Sequence, residues 1–223
     1  MKKVVALLLV MVMSVSLCAC GGKSGNKKAF DSSKAAYDNV DVAYEITEKF
    51  GEDIYEAWRV GIYDKDEISV EHLASELNLS EEELTEGIVY TLMSFTSDVT
   101  YEEATEEDKQ TLREAADIYF TMFEEDLFSA CVMAVTGAYS ANGKIEEAQN
   151  ALTEAKGQMK ELSESYSDYE HYPNLKGYYT TTSSFFDFCK NPTGSFEQVK
   201  ETINDYRNEA RDYISDLDYI FEE

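Results

Sequence analysis

The side chains of this sequence that could do chemistry are four cysteines, two histidines, 45 carboxylates and an unusual share of tyrosine, 16 in 223 residues. Cys20 stands just behind a long apolar run, where a thiol can act as a nucleophile or accept a covalent group. Cys131 and Cys189 have apolar neighbours, and two readings stay open for them: a disulfide, or two separate buried thiols, which suit those settings better. His72 and His171 belong to no HExxH and to no Cys/His spacing that would hold zinc. Asp64, Asp66 and Glu71 have the Asp-x-Asp start and later acid of a calcium loop, but the central glycine is missing and Ile68 stands where an oxygen ligand is needed. A charged turn is the better reading. Ser183, Ser184 and Ser195 have no base nearby in sequence and no nucleophile elbow around them. Carboxylate pairs arise everywhere by chance in so acidic a chain, so no catalytic residue and no cofactor are assigned.

The first twenty residues have a layout of their own. Lys2 and Lys3 precede an apolar run from Val4 to Val15, which is short for a bilayer span and suits an export signal. Leu17, small Ala19, Cys20 and Gly21 follow. This ending resembles the lipobox of bacterial lipoproteins. The resemblance implies that residues 1–19 are a cleaved signal and that Cys20 carries a diacylglyceryl (and often palmitate-type) anchor. It also implies a chain held at a bacterial cell membrane, facing outside the cytoplasm. Cys18 fits less well, because Leu17 would then occupy the position that needs a small residue. Two acyl chains anchor durably where one is marginal.

Charge narrows the partners further. The formal net charge is −26. Loss of Lys2 and Lys3 takes it to about −28, which argues against nucleic acid, since a phosphate backbone is gripped by clustered Lys and Arg. The start of the mature chain is the exception, with Lys23, Lys27 and Lys28 among Gly21, Gly22, Ser24, Gly25 and Asn26. Residues 20–30 are therefore expected to form a flexible tether reaching on the order of 20 Å, ahead of an acidic helical domain over 31–223.

The elements beyond the tether follow from apolar spacing. Val40, Ala43, Tyr44, Thr47, Phe50, Ile54, Trp58 and Ile62 step by threes and fours and predict a helix over roughly 32–60, with Gly51 as a bend or a close packing point. A short helix around Leu73–Leu77 precedes a second that Ser80 and Glu83 cap. His72 to Tyr90 resembles the helix-turn-helix of DNA-binding repressors in its Leu-Ala start, its Leu79-Ser80 turn, and Leu84 and Ile88. However, Glu81, Glu82, Glu83 and Glu86 stand where a recognition helix brings Arg, Lys, Asn or Gln, so it reads as a helical corner. A single helix is expected from Thr105 to about Ala141, ended by Asn142 and Gly143. Two regular seams follow, from Ile145 to Tyr169 and from Phe196 to Ile220, with a shorter helix over about 180–190 between them. Only Tyr178–Thr182 has strand-type residues. The expectation is an all-α bundle of about six to seven helices.

Tyr166, Tyr169, Tyr172, Tyr178 and Tyr179 cluster near His171 and supply the one candidate ligand surface, since tyrosine offers an apolar face and a hydroxyl. The bland alternative is that they close one end of the bundle. The favoured function is a non-enzymatic envelope module that binds a protein, peptide or glycan. An envelope hydrolase acting on a glycan or peptide is the alternative. A transporter-associated solute-binding protein is weaker, because such proteins resemble two-lobed α/β clamps.

Overall fold

The computed structural model describes residues 24–97 and 99–221, so the expected signal over 1–19 and Cys20 lie outside the described residues. The described chain is nine α-helices joined by turns and one 3-10 turn, with no strand. The all-α expectation is met.

The spine is α1, a 40-residue helix from Ser24 to Tyr63, about 60 Å long at 1.5 Å per residue. It begins inside the stretch expected to be flexible, and Ala29 there is already buried. The apolar stripe read from the sequence is its buried face, with Val40, Ala43, Phe50 and Ile54 fully excluded from solvent. Gly51 does not break the helix. A Cβ there would come within 2.7 Å of the Phe185 ring, so this glycine is a packing point.

Four helices lie along α1. The helix α6 (Leu127–Ala141) runs antiparallel to its C-terminal half, with Trp58 stacked on Phe128 and Phe50 on Tyr139. Along the N-terminal half lies α7 (Lys144–Ser165), also antiparallel, where Asn39 Nδ2 donates to Gln158 Oε1 at 3.1 Å. The helix α8 (Tyr172–Lys190) runs parallel to α1, so Tyr178 meets Tyr44 and Phe185 meets Gly51. Finally, α9 (Phe196–Phe221) returns antiparallel from Tyr55 and Phe196 to Phe30 and Phe221. Both regular seams are buried stripes, including Leu152 and Leu162 in α7 and Val199, Ile203 and Leu217 in α9. They face α1 and α8 rather than closing as a pair.

A second layer covers α6. The short α2 (Val70–Glu76) leads into α3 (Glu81–Thr96), which crosses α6 in close contact. The Ser80–Glu83 capping box forms as the sequence implies, with Glu83 N donating to Ser80 Oγ at 3.2 Å and Ser80 N to Glu83 Oε2 at 2.9 Å. Thr105 and Asp108 make the same box for α4 (Glu106–Ala115).

The helix expected to continue to Ala141 breaks instead, which raises the number of helices from the expected six or seven to nine. After α4 come a 3-10 turn (Ala116–Ile118) and one turn of helix, α5 (Tyr119–Met122), before the chain reverses into α6. Adjacent Tyr119 and Phe120 are both buried, which a straight one-faced helix cannot provide. Exposed Glu124, Glu125 and Asp126 then sit at the positive N-terminal end of α6, where negative charge is favourable. Tyr178–Thr182, the strand-like run, lies inside α8, which starts eight residues before the expected 180. Its apolar members pack on α1, and that tertiary contact overrides β propensity.

Candidate functional site

The tyrosine cluster divides when the chain folds. The first seam stops at Ser165, and Tyr166 leaves the helix with φ −141° as its C-cap. Residues 166–171 then turn a corner into α8, whose Pro173 lies in the first turn, where a missing N–H costs nothing. This corner packs against the N-terminal end of α1 and the C-terminal end of α9. Between them is an open groove of about 650 Å³, walled by Phe30, Tyr166, Tyr169, His171 and Ile220, with Asp168 and Glu170 at its rim.

Tyr169 is fixed in this groove from two sides. Its hydroxyl shares a hydrogen bond with Ser33 Oγ at 3.0 Å, and its ring meets His171 edge-on at 5.3 Å between centroids. Partial burial pushes the pKa of its hydroxyl above the ordinary phenol value, so it stays a neutral hydrogen-bonding group. His171 occupies the N-cap position of α8, with Nε2 3.2 Å from Glu170 Oε1.

Tyr178 is core, not surface. It is fully buried among Tyr37 and Tyr44, and its hydroxyl donates to Asp41 Oδ1 at 3.1 Å. Burial pushes both the Tyr178 phenol and the Asp41 carboxyl up, which favours the neutral phenol as donor. Tyr172 and Tyr179 are half-buried and pack against the hydrophobic core, outside the groove. The five tyrosines proposed from sequence therefore reduce to Tyr166 and Tyr169 in one site. Phe30 and Ile220 complete its wall, and sequence reasoning missed them because they arrive from the two ends of the chain.

Asp64, Asp66 and Glu71 do not form a calcium loop. Asp64 Oδ2 is 3.1 Å from Arg59 Nη1 and 3.7 Å from His72 Nε2, within a network that also joins Arg59 to Glu56 and Glu76. Among the described residues no three His, Cys, Asp or Glu side chains are placed to share a metal ion. Cys131 and Cys189 are separate buried thiols, so of the two readings the disulfide falls. Burial pushes the Cys131 thiol up to about 12, which leaves it protonated and inert. Glu86, one of the four glutamates at the recognition-helix positions, is engaged by Arg113 and Tyr101.

One buried polar centre escaped sequence reasoning altogether. Asp53 is fully buried in α1 and accepts from Asn78 N at 2.8 Å, Asn78 Nδ2 at 3.1 Å and the Tyr139 hydroxyl at 2.8 Å. It pins the α2–α3 corner to α1 and α6. Burial raises its carboxyl above the usual value of 3.8, outweighing those three hydrogen bonds, with Glu52 adding to the shift. Because the folded chain holds this proton more tightly than the unfolded one, stability from protonated Asp53 is present below 3.8 and is lost as pH rises through the folded value. Denaturant melts of Asp53→Asn should therefore gain on the parent as pH rises from about 4 to about 7. Parallel stability curves for the two proteins would refute this.

No described helix is long and apolar enough to cross a membrane. The chain matches no protein-family model, no curated protein and no solved structure.

Proposed function

We propose that this chain is a cell-envelope lipoprotein, held at the outer side of a bacterial membrane by a diacylglyceryl group on Cys20 and acting as a non-enzymatic binding module. The observation that carries the reading is the run from Val4 to Val15 followed by Leu17, Ala19, Cys20 and Gly21. Three residues separate Cys20 from Ser24, where α1 begins. Even fully extended, that connection keeps the lipid within about 15 Å of the helix. The anchored end of the bundle is then the end that bears the Tyr166–Tyr169 groove. The groove has the size of sites that take small ligands, and aromatic walls with polar rims suit binding rather than covalent chemistry.

Growth with a fatty-acid analogue tests the anchor directly. Wild type should take up label and partition with membranes, whereas Cys20→Ser should lose the label and either leave the membrane or keep its signal uncut. Equal labelling of the two proteins would overturn the assignment.

A further inference from the structure

We infer that the groove at the α7–α8 corner recognises an alkylated ammonium group. The inference rests on the reading of this chain as a binding module and names the ligand class of the same site. Four aromatic side chains wall the groove: Phe30, Tyr166, Tyr169 and His171. The charged side chains beside them are Asp168 and Glu170, both exposed, and no Lys or Arg is among the described residues that line the cavity. The Phe30, Tyr166 and Tyr169 faces are electron-rich and attract a cation that carries its charge on a greasy, weakly hydrated surface, while His171 serves to hold the Tyr169 ring edge-on. Carboxylates at the rim add attraction for positive charge without demanding the bidentate geometry of a guanidinium. The chain's formal charge of −26 adds a long-range field that concentrates cations and repels anions. A free carboxylate or phosphate would meet two like charges, with His171, already 3.2 Å from Glu170 Oε1, as the one basic side chain in the wall. A neutral sugar could stack on the rings, but it would leave the carboxylates' charge unused.

The walls are also held in place. Ser33 fixes the Tyr169 hydroxyl, the edge-on contact with His171 fixes its ring, and Phe30 leans on Phe221 at 5.5 Å between centroids. Little ordering is then left for the ligand to impose, which favours binding of a small cation. The ammonium group has two natural sources, a free solute or the headgroup of a membrane lipid close to the Cys20 anchor. The recognition chemistry is shared.

The test is calorimetric titration of the full chain, in a non-ionic detergent, with choline and with 3,3-dimethylbutan-1-ol, its neutral isostere. Choline should bind about tenfold or more tightly than the isostere. Tyr166→Leu keeps the bulk of an apolar side chain and removes the ring, and should weaken choline about tenfold. Asp168→Asn with Glu170→Gln should weaken choline while leaving the isostere unchanged, and thermal melts should match the parent for each variant. Competition by glycerophosphocholine assigns the lipid headgroup as the source, and failure to compete assigns a free solute. Equal affinity for choline and its isostere, or unchanged choline binding in both variants, overturns the inference. Binding of a neutral sugar in place of choline also overturns it, yet leaves the binding-module reading standing. Equal fatty-acid labelling of wild type and Cys20→Ser, by contrast, would sink the anchor alone.

Discussion

Replacing Gly137 by alanine should destabilise the protein by about 3 kcal/mol or more, although alanine is the better helix former. Gly137 lies in α6 where α3 crosses it, opposite Gly87. A Cβ at 137 would fall 2.1 Å from the Gly87 carbonyl oxygen and 2.6 Å from Thr91 Oγ1. The clash is mainly with backbone, so no rotamer change relieves it, and the helices must separate. Thr91 Oγ1, which donates to Gly87 O within α3 at 2.8 Å, also lies 3.1 Å from Met133 O of α6, and the same movement would break that second contact. Propensity returns only about 1 kcal/mol, so overpacking wins. Gly157 is the internal control. It is exposed on α7, with nothing within 4 Å of its added Cβ. There the propensity gain is unopposed, and Gly157→Ala should stabilise by up to about 1 kcal/mol. Denaturant melts of the two variants should therefore move in opposite directions. A Gly137→Ala protein as stable as the parent would show that α3 and α6 do not meet at this distance.

Why some of this was legible in the sequence and some was not follows from the range of each interaction. Periodicity is local, so the buried faces of α1, α7 and α9 could be read directly: Val40, Leu152 and Ile203 were placed on stripes and are buried. Caps are local too, and the Ser80–Glu83 box read from the sequence forms. The same reasoning failed at 116–126, where the stripe continued in sequence while the chain turned back. Nothing within a helical window shows that Tyr119 and Phe120 will both find cover, because that cover comes from other helices. Gly143, with φ +77°, shows the opposite case: its backbone conformation is one glycine favours, so the Asn142-Gly143 stop was readable.

The candidate groove was half legible for the same reason. Tyr166 and Tyr169 announced themselves by composition, but a seam drawn through Tyr169 treated them as helical core. The C-cap at Tyr166 turns them out into the corner instead. Tyr178 has the same residue type six to twelve positions away in a cluster that looked uniform, and only the parallel packing of α8 on α1 decides that it is buried. Asp53 carries no sequence signal at all. In a chain with 45 acidic side chains, one on the apolar stripe of α1 is hidden by numbers until its partners Asn78 and Tyr139 are seen.

Phe50 joins that polar centre to the core, and Phe50→Ala should cost about 3 to 5 kcal/mol. Its side chain is fully buried on α1 and stacks on the Tyr139 ring at 4.5 Å between centroids with 26° between the planes. Truncation removes the transfer energy of a large apolar side chain and leaves a cavity between α1 and α6. It also removes the surface that holds the Tyr139 ring, whose hydroxyl serves Asp53 at 2.8 Å. If Tyr139 tilts into the cavity, a buried carboxylate loses a partner, a further penalty of about 1 to 3 kcal/mol. Typical domains have only about 5 to 15 kcal/mol in total, so the variant should show a large fall in its denaturant midpoint. Phe95 offers the contrast within the same chain: it is 63% exposed near the end of α3. Phe95→Ala should change stability by less than about 0.5 kcal/mol. Equal midpoints for the Phe50 and Phe95 variants would mean that α6 does not close over α1 at Phe50, and the contact between α1 and α6 would have to be redrawn.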